Sequence, residues 1–209
     1  MSRTLVSFVL LLISMHASAT DITLLFGNQF NSDFEVSSAE NLPSGAPTSV
    51  VPGATIQLDD GSAIGLAVDY VFKKDTTQRI GFFLTHHKSS FDSGAELDND
   101  DVDITHLHFT AMSYFPNGNW EPFALLGLGA GNFKPKDGTL KTVTRVSAQI
   151  AAGGNYKFSD NMLLRVELRW IPTFFGNSTS VFCDGGCTVA VTSSIYSQVQ
   201  ANIGLQYRF

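Results

Sequence analysis

Charge is scarce in this chain. Only 15% of its 209 residues are Asp, Glu, Lys or Arg, against about 25% in an ordinary soluble domain, and a water-facing surface of this size is hard to cover with so few charges. The basic residues are scattered and the formal net charge is −6, which excludes the clustered positive surface that nucleic-acid binding needs. Helical periodicity is missing after residue 20, and no linker, low-complexity tract or short repeat divides the chain. The N-terminal apolar stretch, Leu5 to Met15, is about eleven residues long, well short of the roughly 20 that a spanning helix requires.

Cysteine is nearly absent as well. Cys183 and Cys187 stand in Phe182-Cys183-Asp184-Gly185-Gly186-Cys187, without the two further ligands nearby that a zinc site would need. In an exported protein such a pair reads as a small disulfide loop. Export is indicated by Arg3, the apolar stretch and Ala17-Ser18-Ala19, the three parts of a secretory signal peptide. The expected organisation is a signal peptide over 1–19 and one domain over 20–209.

What the chain does have is alternation. Apolar and polar residues alternate over eight segments, about 21–31, 62–73, 78–90, 103–115, 120–133, 143–158, 161–175 and 193–209, the period of two that puts successive side chains on opposite faces of a sheet. In the last segment Val199, Ala201, Ile203, Leu205, Tyr207 and Phe209 oppose Gln198, Gln200, Asn202, Gln206 and Arg208; in the seventh, Leu164, Val166, Leu168 and Trp170 oppose Arg165, Glu167 and Arg169. The first, third and fifth segments are apolar on both faces in places, so their facing stays open.

The same rhythm would suit a soluble barrel with its apolar face inside. Three features decide for the inverted arrangement. Short connections (73–78, 116–119, 159–161) alternate with long ones (32–61, 91–102, 134–142, 176–192), the order expected of an eight-stranded outer-membrane barrel with both ends in the periplasm. Acidic residues gather in the long connections, including Asp92, Glu96, Asp98, Asp100, Asp101 and Asp103, while the apolar strand faces carry almost none. Tyr70, Phe72, Phe115, Trp120, Trp170 and Phe209 stand near segment ends, where aromatic girdles meet the two interfaces. Hydrocarbon offers the backbone no hydrogen-bond partner, so the strands must close on themselves. The expected fold is all-β, an eight-stranded antiparallel transmembrane β-barrel.

The C-terminal run Asn202-Ile203-Gly204-Leu205-Gln206-Tyr207-Arg208-Phe209 resembles the assembly signal of outer-membrane barrels, with Asn202, Gly204, Leu205, Tyr207 and Phe209 at the matching positions. Phe123 to Gly131 looks like the glycine-rich fifth strand common in such barrels. Together they place the chain near the small OmpA/OmpX/OmpW-like β-barrel proteins. The resemblance implies a Gram-negative outer-membrane location, recognition by the outer-membrane assembly machinery, and a surrounding of lipid and lipopolysaccharide.

Candidate chemistry is sparse. Asp69, Arg145, Arg165, Glu167, Arg169 and Arg208 are expected to form a polar network in the lumen, with Asp69 or Glu121 pairing the arginines, because a barrel this small is filled by side chains and buried ions need partners. In Thr85-His86-His87-Lys88-Ser89-Ser90, the pair His87 and Ser89 resembles the active-site strand of lipid A deacylases, with Glu96 or a nearby aspartate as the only acid to orient the histidine. His106 and His108 share a face and, with His87, raise the question of a metal; hydrogen-bonded lumen residues are the expectation, with no metal and no cofactor. The acidic second connection lacks the glycine and spacing of a calcium loop, and Asn177-Ser178-Thr179 matches a glycosylation sequon that has little meaning in a bacterium. The function expected is that of a non-enzymatic, monomeric outer-membrane protein whose loops contact the exterior; the alternatives are a narrow passage for small or hydrophobic solutes and a lipid A-modifying enzyme.

Overall fold

The computed structural model describes residues 20–32, 34–35, 55–72, 77–92, 101–136, 142–175 and 195–209. The leader over 1–19, Cys183 and Cys187, the acidic residues Glu96, Asp98 and Asp100, and the Asn177 sequon lie outside them. The strands are β1 Thr20–Asn31, β2 Phe34–Glu35, β3 Thr55–Leu58, β4 Gly61–Val71, β5 Gln78–Asp92, β6 Asp101–Tyr114, β7 Trp120–Pro135, β8 Val143–Lys157, β9 Met162–Phe174 and β10 Ile195–Arg208. Eight of them close a ring in which every neighbour is antiparallel, in the order β1-β4-β5-β6-β7-β8-β9-β10, with β10 returning to β1. Such a ring has no free edge among its backbone groups.

The short β2 and β3 lie within the connection expected over 32–61. They extend the wall above β5, where Leu58 pairs Phe91 while Ala63 pairs His87. The β3–β4 side therefore carries one residue more than β5 between those pairs, a bulge at Asp59–Asp60. Ser89 Oγ donates to the Asp59 carbonyl (2.7 Å), Ser90 Oγ to Asp59 Oδ2 (2.6 Å) and the Asn31 amide to Asp60 Oδ1 (2.9 Å), so the ladder interruption is met by side chains. At the other end, Asn117 and Trp120 exchange two backbone bonds around Gly118-Asn119, a tight hairpin that needs the left-handed φ of 62° that Gly118 supplies.

The outer face carries an apolar belt: Leu24 and Phe26, Ile64 and Leu66, Phe82 and Leu84, Leu107 and Phe109, Leu126 and Leu128, Ile150, Val166 and Leu168, and Ile203 and Leu205 are all exposed. Monomers in water rarely leave contiguous apolar patches beyond a few hundred Å²; an unbroken belt of this kind is stable in hydrocarbon. Trp120, Tyr156, Phe115, Phe158, Tyr207 and Phe209 edge the belt at the end that holds Thr20 and Phe209.

Above the belt the two faces exchange character. On β6 the exposed or half-buried residues run Phe109, Leu107, Thr105, Asp103, Asp101, while their buried neighbours run His108, His106, Ile104, Val102. On β7 the outward residues pass from Leu128 to Asn132 and Lys134 as the inward ones become Phe133 and Pro135. The exchange is seen on three adjacent strands, at positions His86, Thr105 and Asn132 that are paired across β5, β6 and β7, whereas Phe30, Val146, Phe174 and Ile195 keep apolar side chains outward toward the same end of β1, β8, β9 and β10. Outward polar residues can contact water there and inward apolar ones cannot, so on β5, β6 and β7 the exchange marks where the wall leaves hydrocarbon.

Candidate functional site

The lumen is the obvious place to look, since the period-two pattern aims every other side chain into it. Its lower half is ionic. Asp21 on β1 receives Arg79 Nε (3.3 Å), Gln206 Nε2 (2.9 Å) and Arg208 Nε (3.2 Å), and Arg208 reaches across to Glu121 at 2.8 Å. One layer higher, Glu167 sits between two arginines on its own strand, 2.9 Å from Arg165 Nε and 2.6 Å from Arg169 Nη2, and also receives Asn202 Nδ2 (3.2 Å). Arg165 Nη1 lies 3.7 Å from Asp69, and Arg169 donates to Gln149. Each layer holds two carboxylates against two guanidiniums, so the charge balances within each.

The arginines also have apolar floors. Arg169 lies 3.6 Å over the Phe83 ring and Arg165 4.2 Å over Phe123, a face-on contact that suits a planar, weakly hydrated cation. A glycine provides room where a wall residue comes closest: a Cβ on Gly81 would meet Asp69 and the Val68 carbonyl.

Amides and imidazoles fill the next layer. Gln200 donates to Gln29 (2.6 Å), and Gln29 bonds His87 (3.1 Å). His106 and His108 stack with ring centroids 5.7 Å apart, and His108 Nε2 bonds Ser147 Oγ at 2.8 Å. No group of three or more His, Cys, Asp or Glu is placed to hold a metal among the described residues. Above this layer Phe133, Phe175 and Tyr196 pack edge to face with centroids 5.6 to 6.4 Å apart. Arg165, Arg169, Tyr196, Phe133 and Phe175 are each no more than 2% exposed.

Of the expected network, Asp69, Arg165, Glu167 and Arg169 meet in one layer and Arg208 in the layer below. Arg145 does not join. It lies high on β8, its guanidinium 5.8 Å over Phe175 and bonded to the Thr144 carbonyl, because the lumen at its level is the aromatic cap. Asp21 and Arg79 are the members that sequence reasoning missed. The alternation Asp21-Ile22-Thr23-Leu24 and the isolated Arg79 beside Ile80 were the available signals, obscured by apolar lumen residues on the same strands.

His87 and Ser89 share a face, but that face is the lumen. The Ser89 hydroxyl donates to the Asp59 carbonyl, while His87 takes the Gln29 amide. His86, not His87, faces outward: it is half-buried, its Nδ1 3.0 Å from Thr105 Oγ1 and its Nε2 4.0 Å from Asp103. Lys136, exposed just beyond β7, pairs with Asp101, and that hydrogen bond holds its ammonium above the ordinary lysine range. In the C-terminal strand, Leu205, Tyr207 and Phe209 lie on the outer face, Asn202 and Gly204 on the inner, and Tyr207 and Phe209 meet edge to face at 4.7 Å.

A family model described as "Outer membrane protein beta-barrel domain" matches residues 6–209. Among curated proteins, the oligogalacturonate-specific porin KdgM of Dickeya dadantii is 36% identical over 75 residues, a stretch that spans 36% of this chain and 30% of the porin. Among solved structures, OprG of Pseudomonas aeruginosa superposes with a TM-score of 0.63 at 15% identity, covering 92% of this chain and 96% of that one. Neisserial surface protein A gives 0.60 at 12% identity, covering 92% and 100%. These structures share the fold.

Proposed function

The chain belongs to the outer membrane protein β-barrel domain family, is an integral protein of the Gram-negative outer membrane, and, we propose, acts there as a non-enzymatic, ion-tight barrel that works through its extracellular connections rather than through its lumen. The observation that carries this reading is the filled, charge-balanced interior: Arg165, Glu167 and Arg169 occupy the axis of a ring only eight strands around, and the aromatic cap lies above them. An open aqueous pore would leave at least part of those guanidiniums wetted. In this reading residues 1–19 are a cleaved leader, the β10 strand ending in Phe209 is what the assembly machinery reads, and the barrel is a monomer.

Planar-bilayer recording of the purified, folded protein tests the proposal. The expected record shows no resolved channel steps in molar salt; reproducible steps from the wild type would overturn it. The inward placement of His87 and Ser89 counts against a lipid-modifying role, since acyl chains lie outside the wall.

A second reading has one observation in its favour. The local 36% identity to an oligogalacturonate-specific porin suggests a selective passage for an acidic sugar. Swelling of proteoliposomes in oligogalacturonate but not in neutral oligosaccharide of equal size is the result that would support it.

A further inference from the structure

Between the ionic layers and the aromatic cap the lumen changes its chemistry. His106 and His108 are wholly buried there and stack nearly parallel, with ring centroids 5.7 Å apart. His106 also meets Phe133 of the cap edge to face at 6.0 Å, and a Cβ on Gly131 would strike its ring, so the pair is seated against β7 directly under the cap. The lumen carboxylates Asp21, Asp69, Glu121 and Glu167 pair with arginines in the layers below. Among the described residues, the eight ring strands turn no carboxylate inward between the levels of Arg169 and Arg145. What faces the pair is positive or neutral. Arg169 on β9 opposes a charge on His108, and His87 on β5 opposes one on His106. Arg145 on β8 stands in the row of His106, with Gly131 between them. β1 and β10 offer amides and the Tyr196 phenol. The bulge carboxylate Asp60 acts on His87 and not on the pair. Neutral rings suit this layer: His108 Nε2 bonds Ser147 Oγ at 2.8 Å, and His106 Nε2 lies 3.5 Å from Thr173 Oγ1. An imidazolium needs acceptors for two N–H groups, and His108 Nδ1 is buried with none among the described residues. A charge gained there would be both buried and unpaired, which is costly.

We infer that His106 and His108 form an acid-sensitive latch beneath the cap: proton uptake drives the two rings from their layer, unpacks Phe133, Phe175 and Tyr196, and frees the upper ends of β7, β9 and β10. The cap sits at the roots of those strands' external connections. Phe133 lies two residues before the end of β7, Phe175 directly follows β9, and Tyr196 is the second residue of β10. That acid thereby alters the external connections rests on the reading that the protein works through them; the latch itself does not. The closed layer binds fewer protons than the opened one, so its stability is complete above about pH 6.5, the ordinary histidine value, and is lost as pH falls below it. Each ring protonated only on opening raises the open fraction about tenfold per pH unit, and two together raise it about a hundredfold.

Hydrogen exchange read by mass spectrometry on the full, folded protein in phosphatidylcholine vesicles, between about pH 7.5 and 5 and so above the ordinary carboxylate range, provides the test. Protection factors, which remove the pH dependence of the intrinsic rate, should be flat down to about pH 6.5. Below it they should fall by about a hundredfold per unit in peptides from the upper ends of β7, β9 and β10, while peptides around Arg165 and Gln206 keep theirs. His106→Gln or His108→Gln should reduce that slope to about tenfold, and the double variant should abolish it. His87→Gln should leave it unchanged. If the double variant fails to fold by heat-dependent gel mobility, Ser147→Asp still decides. A carboxylate against His108 Nε2 lets that ring charge in place, so the slope should again drop to about tenfold. Protection at the cap that stays flat to pH 5, an equal loss over the whole barrel, or a slope untouched by the single variants and by Ser147→Asp would each overturn the assignment. Bilayer recording at neutral pH judges the ion-tight reading separately.

Discussion

Replacing Glu167 with alanine removes the one carboxylate that touches both central arginines. Glu167 receives Arg165 Nε at 2.9 Å, Arg169 Nη2 at 2.6 Å and Asn202 Nδ2 at 3.2 Å, and both guanidiniums are almost wholly buried. After the substitution Asp69 remains, 3.7 Å from Arg165, and Arg169 keeps only the neutral Gln149 and the face of Phe83. Deleting one partner of a buried ion pair costs about 3–5 kcal/mol because the other charge is stranded, and the arrangement here strands one guanidinium and weakens a second. The expected loss is therefore in the upper part of that range. Glu167→Gln keeps the volume and one acceptor and should lose less, about 1.5–3 kcal/mol, the worth of hydrogen bonds to a charged group. A triple replacement, Arg165→Met with Glu167→Leu and Arg169→Met, removes every charge of the trio together and should cost much less than Glu167→Ala alone, as isosteric replacement of buried ionic triads does elsewhere. Equilibrium unfolding from lipid vesicles in guanidinium, followed by fluorescence of the outward Trp120 and Trp170, measures all three. A Glu167→Ala cost below about 1 kcal/mol, the level of an exposed pair, would refute the premise that the central layer is dry and mutually dependent.

Three further outcomes follow from the wall. Leu126 lies on the outer face of β7, halfway between Trp120 and Asn132, and Leu126→Arg should cost about 2–4 kcal/mol in vesicle unfolding, against about 0–1 for Phe115→Arg at the interface; equal costs would remove the belt's proposed depth. Gly129→Leu would drive a side chain into the Leu107 carbonyl of β6, so the heat-modifiable folded band should be lost, and a normal band would show that the β6–β7 approach is looser than described. Deleting Phe209 removes the partner of Tyr207 and should lower the folded fraction recovered from outer membranes in cells while leaving refolding into vesicles in vitro largely intact, since the lesion is in recognition.

Strand positions were legible because period two survives whatever surrounds the sheet. Segment six, expected over 143–158, is Val143–Lys157; segment eight, expected over 193–209, is Ile195–Arg208. Facing was legible where lipid-facing and lumen-facing residues differ in kind, as in Leu164-Arg165-Val166-Glu167-Leu168-Arg169. It was not legible on β1, β5 and β7, and the arginines explain why. A guanidinium in a dry lumen needs a carboxylate at its edge and a surface against its face, and here the faces are covered by Phe83 and Phe123. The strands opposite the arginines must therefore carry apolar residues inward, alternating with apolar residues outward, which erases the pattern. Asp21 and Arg79 were hidden on such strands. β3 escaped because its pairing with β5 begins beyond a bulge, where two residues oppose one and the alternation slips, and β2 because it is two residues long and pairs with β3.

The exchange of faces above the belt follows from the same reasoning and limits it. A rule that greasy residues point outward holds only where the outside is hydrocarbon. Along β6 the apolar set moves from Phe109 and Leu107, which face out, to Ile104 and Val102, which face in, with the paired histidines His106 and His108 buried at the crossing. The strand does not slip register there, since Phe109↔Leu128 and Val102↔Pro135 belong to one unbroken ladder with β7. Only the solvent has changed. On β5, β6 and β7 a strand that kept apolar residues outward beyond these positions would expose them to water, and one that kept polar residues inward would need a partner for each. Turning Phe133, Phe175 and Tyr196 inward meets both demands and seals the barrel with side chains that carry no ions. The cap and the ionic layers are thus two answers to one constraint, that the narrow interior of an eight-stranded ring is filled by side chains.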